Sequence, residues 1–252
     1  MLRTAVSLLV GALLLYAAAC LLLYLSQRSL LYFPQPARAS VPALTLSVPG
    51  AELQVSVRVH AGPRAVLYFG GNAEDVSSGL AELAATFPGH AVYAMHYRGY
   101  GRSTGKPAEV ALHADATALF DSVAREHSEI TVIGRSLGSG VAIRLAAERS
   151  VARLVLVAPY DSVEAVAARQ YSLFPVRWLI RDRFDSASVA PAIRAPTTVI
   201  LAERDEVIRR ERSDALVARF APGVAQVIVI AGAGHNTLDG RPDFDAAMAG
   251  AR

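Results

Sequence analysis

The chain has 252 residues, 53% of them hydrophobic and 19% charged, enough for one large α/β domain or two small ones. Its net charge is +3, yet its arginines are scattered and Lys106 is the only lysine, which argues against a phosphate-binding face and against nucleic acid as a partner. The single cysteine, Cys20, excludes an intramolecular disulfide and any multi-cysteine metal site.

After Arg3, the stretch from Ala5 to Leu25 carries no charge. A bilayer core needs about 20 apolar residues in a helix, whereas the apolar part of a secretory signal is about 7–15 residues long. Residues 1–28 are therefore expected to be a single-pass membrane anchor. The competing expectation is a cleaved signal peptide, for which "AAAC" supplies small residues. Cleavage and lipidation at Cys20 are disfavoured by the apolar "LLLYL" that follows it. Arg3 on one side and Arg28 and Arg38 on the other are too even a contrast to orient the chain in a membrane. "FPQPARASVP" holds three prolines in ten residues, so residues 29–43 are expected to form a juxtamembrane linker ahead of one domain over 44–252.

Within that domain, apolar runs alternate with helical patterns. Strands are predicted at "LTLSV" and "LQVSVRVH", then at 65–69, 90–97, 129–134, 152–159, 197–203 and 225–231. Helices are predicted at 73–87, 107–127, after residue 136, near 210–220 and near 242–249. Near-continuous apolar strands alternating with helices imply an α/β fold with a mostly parallel central sheet covered on both faces. Residues 160–195 break this rhythm and contain Tyr160, Tyr171, Phe174, Trp178 and Phe184. A short cap of one or two helices is expected there.

Two segments match G-x-S-x-G, the pattern of a serine nucleophile elbow: "GRSTG" at 101–105 and "GRSLG" at 134–138. An elbow serine must sit on a tight strand-to-helix turn. Ser136 lies between the strand "ITVIG" and the apolar-striped "GVAIRLAAE", which satisfies that demand. Ser103 is followed by "TGKP", a loop, so its glycines shape a turn and Ser136 is the nucleophile candidate. The order serine, acid, histidine then leaves His235 as the base, because it is the only histidine after the elbow. Asp205, just beyond the strand "TTVILAE", is the acid candidate. Glu203 and Glu206 are adjacent rivals, and Asp161 or Asp185 would serve if the acid came from an earlier loop. An oxyanion hole needs backbone N–H donors. Leu137, which follows the nucleophile, and Asn72, in the loop "YFGGNAED", are the candidates.

Taken together, "LYFPQP", "YFGGNAEDV", "YRGYGRSTGKP", "GRSLGSGVA", "DRFDS", "AERDEV" and "GAGHN" resemble the alpha/beta-hydrolase superfamily over roughly residues 30–240. The chain is most similar to small, single-anchor serine hydrolases of the ABHD type, some of which are depalmitoylases. The resemblance implies the alpha/beta-hydrolase fold, Ser136 as nucleophile, Asp205 as acid and His235 as base, with no metal and no cofactor. The expected substrate is an acyl ester or thioester, lipid-derived acyl groups included, and the short cap rich in aromatics suits a small or medium acyl chain. One position departs from the pattern: relatives carry a histidine where this chain has Gly70. The other readings are a serine peptidase of the same fold and an inactive, membrane-anchored binding or scaffold protein. A nucleotide loop is not among them, because "GRSLGSG" is neither G-x-G-x-x-G nor a P-loop.

Overall fold

The computed structural model describes residues 2–250. The two alternating stretches β1 (Ala43–Val48) and β2 (Ala51–Arg58) fold back on each other through Pro49 and Gly50 as an antiparallel hairpin. Six more strands follow: β3 (Arg64–Phe69), β4 (Ala91–Met95), β5 (Glu129–Arg135), β6 (Arg153–Val157), β7 (Thr197–Ala202) and β8 (Ala225–Ile230). These six pair in parallel, and β2 joins them antiparallel to β4, giving one eight-stranded sheet of order β1-β2-β4-β3-β5-β6-β7-β8.

The inner strands β3 to β7 are buried on both faces, as their unbroken apolar runs require, while the outer strands β1 and β8 are partly exposed. Leu67 and Phe69 of β3 pack into one hydrophobic cluster, while Val66 and Tyr68 pack into the other. The first cluster is completed by α3 (Glu109–Val123), α4 (Leu137–Glu148) and α8 (Arg210–Val217). On the opposite face, α2 (Leu80–Thr86) and α9 (Pro242–Ala249) contribute Leu80, Leu83, Phe244 and Met248.

Two predicted elements differ. The helix expected over 73–87 is helical only from Leu80 to Thr86. Upstream, the Asp75 carboxylate accepts hydrogen bonds from the Ser77 amide, the Ser77 and Ser78 hydroxyls and the Arg38 amide, which holds the segment in turns. Such local acceptors compete with helical pairing. The 160–195 region holds three short helices, α5 (Val163–Gln170), α6 (Val176–Leu179) and α7 (Ser186–Val189), and a 3-10 turn at Ala190–Ala192.

Ahead of the sheet, α1 (Leu2–Leu31) is a single 30-residue helix, long and apolar enough to cross a membrane by length and composition. It is docked to the α5–α6 region. The Arg28 guanidinium donates to both Asp182 carboxylate oxygens at 2.8 and 3.0 Å, and Gln27 donates to Leu179 O while accepting from the Arg181 amide.

Chain order places the site. The connections after β3 and β5 leave the sheet on opposite sides, so their carboxyl ends border a crevice. In open parallel sheets such crevices receive ligands.

Candidate active site

Ser136 is the single residue between β5 and α4. Its φ of 49° and ψ of −116° lie in a region costly for a residue with a side chain. The turn is held by the Ser136 amide donating to Val157 O and by the Ser139 amide and hydroxyl donating to Ser136 O. The neighbouring glycines are explained by close approach. A β-carbon on Gly138 would overlap Phe69 O and lie 2.6 Å from Gly70 O, both rigid backbone atoms. One on Gly134 would overlap Gly138 O and lie 2.6 Å from Ala142 Cβ. Only glycine lets α4 start directly against the end of β3.

The structure brings Ser136, His235 and Asp205 together. His235 Nε2 lies 3.1 Å from Ser136 Oγ, and His235 Nδ1 lies 2.8 Å from Asp205 Oδ2 and 3.0 Å from Oδ1. The His235 and Asp205 side chains are both more than nine-tenths buried. Asp205 Oδ1 also accepts the Val207 and Ile208 amides at 2.9 and 2.7 Å, which fixes its carboxylate at the carboxyl end of β7. The neighbouring acids serve the backbone instead. Glu203 accepts the Gly232 amide and Glu206 accepts the His235 amide. Asp161 takes Arg212 and its neighbour's amide, while Asp185 caps α7, so neither meets the imidazole. Ser103 is buried in its turn, donating to His96 O and accepting the Gln54 amide.

Beside the serine, the loop after β3 places Gly71 so that a β-carbon on it would stand 3.8 Å from Ser136 Cβ. Among the described residues, neither the Asn72 amide nor the Leu137 amide donates to a protein acceptor. The Gly71 amide is engaged by Glu74 Oε2 at 2.7 Å, and Glu74 Oε1 accepts the Tyr68 hydroxyl at 2.7 Å. Tyr97 donates to Gly70 O and Tyr100 to Asn72 O, while the Asn72 side chain donates to Leu31 O at the end of α1. Burial pushes both tyrosine hydroxyls above their usual range, so they stay protonated donors. A β-carbon on Gly70 would meet Val76 Cγ1 at 2.6 Å and the Glu74 carboxylate at 3.0 Å. Glu74 fills the space beside this loop.

Four residues escaped the sequence reading. Glu74, Tyr97 and Tyr100 shape the loop, and Arg135 binds Asp239 with both carboxylate oxygens at 2.6 and 2.8 Å. That pair ties the residue before Ser136 to the loop after His235. Burial opposes the Arg135 charge, but Tyr68, Glu74 and Asp239 outweigh it and hold its pKa above the ordinary value. All four lie inside quoted motifs, Glu74 in "YFGGNAEDV", Tyr97 and Tyr100 in "YRGYGRSTGKP" and Arg135 in the elbow pattern, but nothing in those stretches marks what the four side chains hold. The cleft above these groups has a volume of about 780 Å³ and runs from Ser136 and His235 to Leu30, Val163 and Tyr171.

A family model described as serine aminopeptidase, S33 (Hydrolase_4) matches residues 63–189, a span that includes Ser136 and stops before Asp205 and His235. An uncharacterized protein of Mycobacterium tuberculosis is 35% identical over 244 residues, covering 87% of this chain and 85% of that protein. The alpha/beta hydrolase domain-containing protein aho-3 of Caenorhabditis elegans is 35% identical over 155 residues, covering 59% of this chain and 44% of that one. Among solved structures, an esterase of Pyrococcus furiosus superposes with a TM-score of 0.63 at 20% identity, covering 87% of this chain and 97% of that one. With the sheet order and the match over the elbow, these likenesses make the chain a member of the alpha/beta-hydrolase superfamily, of the ABHD-like kind.

Proposed function

We propose that the protein is a serine hydrolase that cleaves ester or thioester acyl bonds, held at a membrane by residues 1–28, with a linker over 29–43 and the catalytic domain over 44–252. The observation that carries this reading is the unbroken line of contacts from Ser136 Oγ through His235 to the buried Asp205. In this mechanism Ser136 Oγ attacks the acyl carbonyl and His235 Nε2 takes its proton. The Asn72 and Leu137 amides, which have no protein acceptor, donate to the developing oxyanion. The imidazolium then gives its proton to the leaving oxygen or sulfur. A water molecule attacks the acyl-enzyme, its proton passing to His235, and the serine is restored. Asp205 accepts from Nδ1–H throughout, fixing the tautomer and the ring orientation. The reaction so written uses no metal and no cofactor.

The description of the matching family model favours a second reading, a serine aminopeptidase using the same three residues. Two substrates separate them: a p-nitrophenyl acyl ester and an aminoacyl p-nitroanilide with a free amino group. We expect turnover of the ester, with kcat/KM for the anilide lower by at least about 10³. The reverse ratio would establish the peptidase reading. Labelling with a fluorophosphonate separates either enzyme from an inactive scaffold. Wild type and Ser103→Ala should label, and Ser136→Ala should not. Full labelling of Ser136→Ala would remove Ser136 from the nucleophile role.

A further inference from the structure

The contacts between α1 and the cap have a consequence for depth in a membrane. Tyr16 lies in the middle of the apolar part of α1, and its hydroxyl donates to Leu173 O at 2.9 Å. Its ring stacks on Phe174 with centroids 5.8 Å apart and planes within 2°. At a rise of 1.5 Å per residue, Tyr16 is only about 20 Å along the helix from the charged Arg3. The hydrocarbon core is about 30 Å thick. With Arg3 at one surface, Tyr16 is therefore still about 10 Å below the other, and helix tilt only deepens it. Leu173 and Phe174 must share that depth. Gln27 and Arg28 lie roughly 36–38 Å from Arg3, at headgroup level, and there they meet Leu179, Arg181 and Asp182. The segment from Leu173 to Arg181 thus runs alongside α1 from the acyl layer up to the interface. Its exposed side chains suit that path: Leu173 is 83% and Trp178 79% exposed. Tryptophan favours the headgroup boundary, and the long Arg177 stem can reach it from just below.

Between α1 and this segment lies an apolar cleft of about 120 Å³, walled by Leu23, Leu31, Ala167, Phe174, Val176 and Ile180. Leu30, Leu31, Val163, Ala167 and Tyr171 line both this cleft and the one above Ser136. We propose that the cap segment Leu173–Trp178 is inserted in the bilayer beside α1, and that the cleft between them admits the acyl chain of a membrane-resident substrate sideways from the lipid to Ser136. The proposal rests on the reading of the protein as an anchored acyl hydrolase and adds where its substrate comes from. The bilayer is then both the anchor's solvent and the substrate's reservoir, so the chain need not cross water to reach the serine.

Trp178 is the sole tryptophan, which gives a direct test. The full chain is reconstituted in phosphatidylcholine vesicles and washed with alkaline carbonate. Loss of the protein in the wash overturns the anchor itself. For retained protein, lipids brominated near the headgroup should quench Trp178 at least twofold. In the double variant Trp178→Phe with Leu173→Trp, lipids brominated deeper in the chain should quench more strongly than the shallow ones. Quenching by aqueous iodide and none by either lipid would overturn insertion while leaving the anchor intact. The port is tested by chain length. Ala167→Trp fills the shared wall and should lower the ratio of kcat/KM for a C16 ester over a C4 ester by about tenfold or more, the effect of two to three methylenes left unburied. An unchanged ratio would overturn the port. Failure of wild type to label with fluorophosphonate would instead remove the hydrolase reading on which the port depends.

Discussion

The Asp205 carboxylate has three donors converging on it: the Val207 and Ile208 amides and His235 Nδ1. Asp205→Asn presents an amide N–H in place of one acceptor oxygen and permits the wrong imidazole tautomer. It should lower kcat by about 10⁴ with little change in KM. Glu203→Gln and Glu206→Gln touch only backbone amides of the histidine loop and should cost less than about tenfold. Steady-state kinetics on the three variants decide the matter, and near-full activity of Asp205→Asn would move the acid elsewhere. The position of Asp205 beside His235 was legible because the fold's chain order puts an acid after that strand. Glu74 was not, because its role depends on reaching both the Tyr68 hydroxyl and the Gly71 amide, and no local pattern encodes that reach. Glu74→Ala should release the loop that carries Asn72 and lower kcat by about 10- to 100-fold, less than the loss of a direct oxyanion donor. A rise in KM alone would place Glu74 in substrate binding instead.

Among the elements, the start of α4 is the tightest joint. Gly138→Ala would set a β-carbon against Phe69 O and Gly70 O, which cannot rotate away. The change should destabilise the fold by about 1–3 kcal/mol and lower activity, because the strand end it displaces leads into the loop proposed to hold the oxyanion. Gly79→Ala, with nothing within 4 Å of its new β-carbon, should stay within about 0.5 kcal/mol. Chemical denaturation of both variants tests the contrast. At the end of β4, His96 is buried with Nε2 2.9 Å from Ser56 Oγ, and burial lowers its pKa below 6.5 despite the opposing influence of Asp75. The unfolded chain binds this proton more readily than the native state. The stability owed to neutral His96 is thus complete above about pH 6.5 and declines as pH falls towards the lower native pKa. His96→Gln should flatten that limb of stability against pH. Strands were the most legible elements, since the inner ones are unbroken apolar runs and the first two alternate with period two. The segment before α2 was misread because its helical spacing is overridden by Asp75 and its four donors.

For the whole molecule, composition makes the apolar character of α1 plain but not its docking. All of the catalytic candidates lie beyond residue 28, which makes the helix look like a separable tether. Yet Arg28, Gln27 and Tyr16 bind the cap, and Tyr32, just after the helix, donates to Asp182 Oδ2 at 3.2 Å. Long-range pairs of this kind have no periodicity or spacing to betray them. Asp182 is the focus, with its side chain only 6% exposed and held by Arg28 from one side and Tyr32 from the other. Removing Arg28 leaves a buried carboxylate with one neutral donor. A fully buried pair broken in this way costs about 3–5 kcal/mol, but Arg28 is 38% exposed and water can reach the gap. About 2 kcal/mol is therefore expected for Arg28→Ala, a fall in Tm of roughly 4–8 °C for a chain of this size. The double variant Arg28→Ala with Asp182→Ala removes the stranded charge along with its partner. It should be less destabilised than the sum of the two single changes, because they share one interaction. Thermal unfolding of the full chain in lipid nanodiscs measures all three. Strict additivity would mean that the helix rests on the cap without this ion pair holding it there.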